Sequence, residues 1–157
     1  MSDALYESDF YAWTQDQADA LRHRRAQSNA VDWERVAEEI ADLGASEKNT
    51  VRSSVLRILE HLYKLSTTAN PEVVGHWLDE VGNFRGELFS RLTPSIRRLV
   101  ESELPKLHER AARSAQQQFN RREPGKAIDT ALRWTWDEIS GEAEDDPLNR
   151  DYPIISD

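Results

Sequence analysis

From Asp32 to Leu65 the chain keeps a helical apolar period almost without interruption, and this narrows the folds open to it. Trp33, Val36, Ala37, Ile40 and Leu43 recur three and four apart, as do Val51, Val55, Ile58, Leu62 and Leu65. Glu34, Arg35, Glu38, Asp42, Arg52, Arg57 and Glu60 lie between them, so each row is one apolar stripe with a charged back. Asp32 is a fit N-cap, and Glu34 suits the positive end of the helix dipole. Gly44, followed by Ala-Ser-Glu, reads as a stop and a new start capped by Ser46. The spacing therefore predicts two helices packed as a hairpin, and one helix kinked at Gly44 is the competing arrangement.

A length of 157 residues suits one domain with one sizeable core. Hydrophobic residues at 38% beside 31% charged ones describe an ordinary globular chain with well-charged helices. The net charge of −9 is unevenly spread. From Asp137 to Asp157, eight acids face Arg150 alone, a balance of −7 that leaves −2 for everything before it. A near-neutral body with an acidic tail lacks the electrostatic footprint of a nucleic-acid binder. The chain has no cysteine, which excludes disulfides, thiolate metal sites and cysteine nucleophiles. No apolar run approaches the roughly 18 residues that span a bilayer. The opening MSDALYESDF carries acids where a signal peptide needs bases, so a cytoplasmic location without membrane contact is expected.

The remaining segments are also helical. Phe10, Trp13, Gln17, Ala20 and Leu21 share a face behind Ser8 or Asp9 as cap, and the basic cluster Arg22 to Arg25 reads as a solvated helix end. Asn70-Pro71 and Thr93-Pro94 are cap-then-proline starts. Val74, Trp77, Val81, Phe84, Leu88 and Leu92 follow the first, with Gly75, Gly82 and Gly86 marking close approach or looseness. A long stripe from Ile96 to Phe119 follows the second, with a kink or short break expected at Pro105. Thr135 and Glu138 have capping-box spacing, although a helix from Lys126 through Ile139 is an alternative. Trp13, Trp33 and Trp77 are expected in the core. Trp134 and Trp136 would diverge on a helix, so core packing competes there with a partner surface covered by the tail.

Three stretches carry a family resemblance: Tyr6-Glu7-x-Asp9-Phe10-Tyr11-x-Trp13, Glu38-Glu39-Ile40-x-x-Leu43-Gly44-x-Ser46-Glu47-Lys48, and His61-Leu62-x-Lys64-Leu65. The chain resembles the bacterial family called domain of unknown function 29, closely over about 6–65 and more loosely to about 119. The resemblance implies an all-helical domain and assigns no activity.

Chemistry has few footholds. There is no Gly-x-Ser-x-Gly elbow, phosphate loop or dinucleotide fingerprint. Helical bundles also build metal sites from inward-facing Glu and His. If the turn before Pro71 is tight, the flanking helices run antiparallel and place His61 level with His76, and Arg57 level with Glu80. His61, His76 and Glu80 would then converge at the seam, a donor set suited to a divalent transition metal such as zinc, iron or manganese. An ordinary Arg57–Glu80 ion pair is the structural alternative. Glu39 is too far for this site, about 33 Å from His61 along a continuous helix.

The sequence thus predicts an all-α antiparallel bundle of five to seven helices, with segments at 9–28, 32–44, 46–68, 71–92 and 95–119. Residues 1–141 form the domain, and 142–157 an acidic tail that is disordered or laid over the body. The leading expectation for function is a non-enzymatic interaction module with a protein partner or a second copy of itself. A metal-binding or metal-dependent site at His61, His76 and Glu80 is the alternative.

Overall fold

Six helices organise the chain in a computed structural model that describes residues 2–24, 31–68 and 70–149. They are α1 (Ser2–Ser8), α2 (Phe10–His23), α3 (Trp33–Leu65), α4 (Pro71–Arg91), α5 (Pro94–Arg122) and α6 (Trp136–Ser140), followed by a short 3₁₀ turn at Pro147–Asn149. There are no strands among the described residues, and no helix is long and apolar enough to cross a membrane. The all-α expectation holds.

Except at Ser46, the predicted starts are found where cap chemistry placed them. Asp32 accepts from Arg35 N, Asn70 from Glu72 N and Thr93 from Ile96 N, with proline opening both α4 and α5. Thr135 and Glu138 form the reciprocal capping box of α6. Pro105 lies inside α5 without breaking it.

The expected hairpin at Gly44 is wrong. Helix α3 runs for 33 residues straight through Gly44 and Ser46. Gly44 is buried because α2 crosses there: a Cβ at this position would collide with the Thr14 hydroxyl and come within 3.2 Å of the Thr14 Cβ. The glycine is a notch in a continuous helix, and its lack of a side chain serves packing. By contrast, Gly75, Gly82 and Gly86 face open space, so close approach does not explain them.

Helix α3 has two working halves. Its first half pairs with α2 running the other way, as Arg24 lies over the Trp33 ring and Lys48 over Tyr11. Its second half, from Val51, is enclosed by α4, α5 and the chain around α6. Helix α4 descends antiparallel to it, tied by Ser54–Glu87 and Arg91–Glu47. Helix α5 climbs back parallel to α3, tied by a two-pronged Arg52–Glu103 pair at 2.6 Å and by Lys64–Gln118.

Asp9 locks the two parts together. Its carboxylate accepts from Ala12 N, capping α2, and from Ser95 N at 2.7 Å, capping α5. Burial pushes its pKa up, but these backbone donors outweigh burial and the net shift is downward.

Between α5 and α6 the chain is irregular from Glu123 to Thr135. Trp134 and Trp136 are both buried, whereas Arg133 and Thr135 are exposed. The alternation is that of extended backbone, in which residues two apart face the same way. A helix from Lys126 does not form, and core packing is the observed fate of both rings. Trp13, Trp33 and Trp77 are only half-buried: Trp77 packs against the edge of the core beneath Lys64, while Trp13 and Trp33 are met by Tyr6 and Arg24 outside it.

Arg85 fastens the chain beyond α6. It forms a bidentate pair with Asp146 and donates to the carbonyls of Glu138 and Ile139. Pro147 is buried and Leu148 packs against the core. Residues 150–157, the rest of the expected tail, lie outside the described residues.

The Gly44 notch yields a prediction. Gly44→Ala gains about 1 kcal/mol of helix propensity but overpacks the α2 crossing, which typically costs about 1–3 kcal/mol. A net loss of roughly 1 kcal/mol is expected in urea unfolding. Adding Thr14→Ala should recover part of it, and an unchanged or raised midpoint for Gly44→Ala alone would refute the notch.

Candidate functional site

The second half of α3 carries an unusual load into the core. Glu60, His61 and Lys64 are only 3%, 5% and 6% exposed, although each belongs to a residue type that prefers water. The cause is the enclosure of α3 on every side here: Ile58 through Leu65 is buried without a break. A helix buried all round has no solvated back to hold charges. Each polar group must therefore find a partner inside.

His61 finds two. Its Nδ1 lies 2.7 Å from the Arg57 carbonyl and its Nε2 lies 2.7 Å from Glu80 Oε2. The two bonds coexist with an ionised Glu80 only when both ring nitrogens carry hydrogen. The rings of Trp77 and Phe84 flank the imidazole at 6.4 and 5.8 Å. Partial burial pushes the Glu80 pKa up, but the His61 hydrogen bond and the charges of His61, His76 and Lys64 outweigh it. Glu80 therefore lies below the ordinary 4.5.

The predicted convergence of His61, His76 and Glu80 is observed, with a shifted register. His61 meets Glu80, one helical turn beyond the expected His76, and His76 Nε2 reaches the same Oε2 at 3.5 Å from an exposed position. The anticipated Arg57–Glu80 pair is absent, because Arg57 turns back to hold Glu60 at 2.9 Å on its own helix. Donors around a tetrahedral zinc ion lie roughly 3.3 Å apart. The His76–Glu80 spacing matches that, while 2.7 Å between His61 and Glu80 is a hydrogen bond. Among the described residues, no three His, Asp or Glu side chains are grouped as a ready metal site. Glu39 remains remote from His61, since both belong to one unbroken helix.

Lys64 escaped the sequence reading. Its ammonium lies 4.7 Å over the Trp77 ring and donates to Gln118 Oε1 at 3.4 Å. A cavity of about 190 Å³ opens beside it, between α3, α4 and α5. Burial pushes its pKa down; Glu80 and Glu60 oppose that effect, and Arg122 and Arg57 add to it. No local signal in sequence marked it: Ile58, Leu59, Leu62 and Leu65 leave residues 60, 61 and 64 on the opposite side of the helix, and only α4 and α5 cover that side. A larger surface hollow of about 500 Å³ runs along Asp42, Asn49 and Ser53, but only α3 lines it.

A second buried polar group is architectural. The His108 Nε2 bonds the Trp134 carbonyl at 3.0 Å, and the Tyr63 hydroxyl bonds the Leu132 carbonyl at 2.9 Å and meets His108 Nδ1 at 3.1 Å. These bonds stitch the irregular segment onto α3 and α5. Burial pushes the His108 pKa down, opposed by the Trp134 hydrogen bond, and pushes the Tyr63 pKa up.

The architecture defines an all-α protein built on one long spine helix, with a buried polar seam between α3, α4 and α5. The chain belongs to the family described as Domain of unknown function DUF29, whose model matches residues 5–142. A solved α-helical protein of unknown function from Rhodospirillum rubrum is similar over 92% of both chains, with 26% identity and a TM-score of 0.76. No curated protein matches the chain.

The seam makes a pH prediction. A carboxylate whose folded pKa is depressed adds stability that is present above its unfolded pKa and lost as pH falls through the folded value. The stability gap between wild type and Glu80→Gln should therefore be present at about pH 5 and shrink as pH drops below about 4. Urea unfolding in half-unit pH steps reads it, and a gap independent of pH would refute the role of the ionised carboxylate.

Proposed function

We propose that the protein is a non-enzymatic interaction module that docks a protein partner, or a second copy, on the apolar end of its bundle. The observation that carries this reading is a shelf of exposed and half-buried apolar side chains, with the Glu47–Arg91 ion pair, Thr93 and Arg97 set among them. The Tyr6 ring, 47% exposed, stands edge-on to Phe10 and Trp13 at 5.5 and 4.9 Å. Phe10 and Leu92 line one groove of about 290 Å³, and Leu92 and Pro94 line the next, of about 310 Å³. Phe89, 45% exposed, lies just before them at the end of α4. Aromatic side chains in such a position are favoured interface anchors. The Asp9–Ser95 bond holds the α1–α2 and α4–α5 sides of the shelf in fixed relation, so the surface is pre-organised for binding.

A photo-crosslinking residue at position 6, with one at Ser53 on the exposed side of α3 as control, tests the reading. Position 6 should give a discrete adduct, to the chain itself or to one partner. Excess wild-type protein should suppress that adduct, and excess Tyr6→Arg should not. No specific adduct from position 6, together with monomeric sedimentation at all concentrations, would overturn it.

A second reading has its own support. His61 and His76 approach one oxygen of Glu80, with the His61 Nδ1 fixed by a carbonyl as in metal-bound histidines. A divalent transition metal would displace the hydrogen between His61 and Glu80, and the exposed His76 would close in. Elemental analysis of the purified protein should then find a transition metal. No metal, with wild-type stability after His61→Ala plus His76→Ala, would sink it.

A further inference from the structure

We propose that the cavity between α3, α4 and α5 is a binding site for a small carboxylate with a flat apolar body. The site goes beyond the docking shelf and lies on another part of the molecule. Its walls are Val73, Trp77 and Phe119, and its polar groups are Lys64, Gln118 and Arg122, with Glu123 at the edge. Trp77 and Phe119 stand nearly perpendicular, edge to face, with centroids 6.4 Å apart, so the apolar part is a corner walled by two rings.

The charge there has no direct partner, since Glu80 and Glu60 act on Lys64 only from beyond ion-pair distance. The Lys64 ammonium has three donors, of which one reaches Gln118 Oε1 at a long 3.4 Å, while the Trp77 ring lies under the charge. Among the described residues, no carboxylate lies within 4.0 Å of Lys64 or Arg122. The nearby acids are engaged elsewhere: Glu60 with Arg57 at 2.9 Å, Glu80 with His61 at 2.7 Å and Glu123 with Lys126 at 2.6 Å. Buried charges are ordinarily paired, and a lysine only 6% exposed whose ammonium has spare donors is an exception that asks for an anion. Arg122 at the end of α5 supplies a guanidinium fork of the kind that grips carboxylates in two-pronged fashion.

Size selects the ligand. An apolar cavity of about 150 Å³ takes up benzene, so about 190 Å³ leaves room for one ring and a carboxylate. In this pose the ring lies in the Trp77–Phe119 corner and the carboxylate oxygens accept from Lys64 Nζ and Arg122. Burial pushes the lysine pKa down, and a bound anion would raise it again.

Calorimetric titration of the intact protein in EDTA tests the site with benzoate, with neutral benzamide as isostere and with acetate, which lacks the ring. Benzoate should bind saturably at about 1 mM or tighter. Benzamide and acetate should each bind at least about tenfold more weakly, as expected when one recognition element is missing. Lys64→Met should fold with unchanged or raised stability, because it replaces an unpaired buried cation by an apolar chain of similar length. It should also lose at least about tenfold in benzoate affinity, and Arg122→Ala should weaken binding without unfolding the protein. No saturable benzoate binding to wild type would overturn the proposal, as would equal binding by folded Lys64→Met. EDTA keeps a metal at His61 and Glu80 from contributing to either result.

Discussion

The structure depends on the enclosure of the second half of α3. Val51, Val55, Ile58, Leu59, Leu62, Tyr63 and Leu65 are wholly buried, and α4, α5 and the chain around α6 contribute to the same core. Full burial of one such apolar side chain contributes about 1.5–3 kcal/mol, so this helix alone carries a large share of the stabilising area. The first half of α3 extends beyond that core and receives α2 at the Gly44 notch. One helix therefore serves two packing layers, which is why it cannot afford a break at Gly44.

Enclosure has a polar consequence. Glu60, His61 and Lys64 enter the interior because α3 turns every face inward there, and each meets a different fate. Glu60 is neutralised by an arginine one turn back, and His61 is held between a carbonyl and Glu80. Lys64 receives only a long amide bond and a ring face. A buried ion pair is weak evidence for function, since its Coulomb energy roughly offsets desolvation. A buried cation with spare donors beside a cavity is a different case, because packing alone would favour an apolar residue. The His108–Tyr63 cluster shows the contrast: its hydrogen bonds are satisfied and close on the backbone of the segment they anchor.

The relation between the two layers rests on backbone capping as well as apolar area. Asp9 caps α2 through Ala12 and α5 through Ser95, two helices far apart in sequence. Arg85 does the reverse at the other end of the chain, donating to the carbonyls that end α6 while pairing with Asp146. Helix ends leave donors and acceptors that must be met, and both residues meet them across tertiary distances. The first of these ties holds the Tyr6–Phe10 side of the shelf against its Leu92–Pro94 side.

Sequence alone determined the helices and most of their starts. Apolar spacing and the caps Asp32, Asn70, Thr93 and Thr135 are local, since cap, proline and stripe act within a few residues of one another. It also brought His61, His76 and Glu80 to one seam, because a short turn after α3 forces α4 to run antiparallel. What it could not contain is anything set by a distant neighbour. Gly44 looks locally like a helix stop, and only the Thr14 side chain on α2 makes it a notch. Trp134 and Trp136 face the same way because tertiary contacts draw that segment into extended backbone. The register that gives Glu80, not His76, to His61 is a shift of one turn, fixed by how side chains interlock along α3. Lys64 is buried for the same reason: its own helix offers an apolar stripe and a charged back, and only the packing of α4 and α5 removes that back from water.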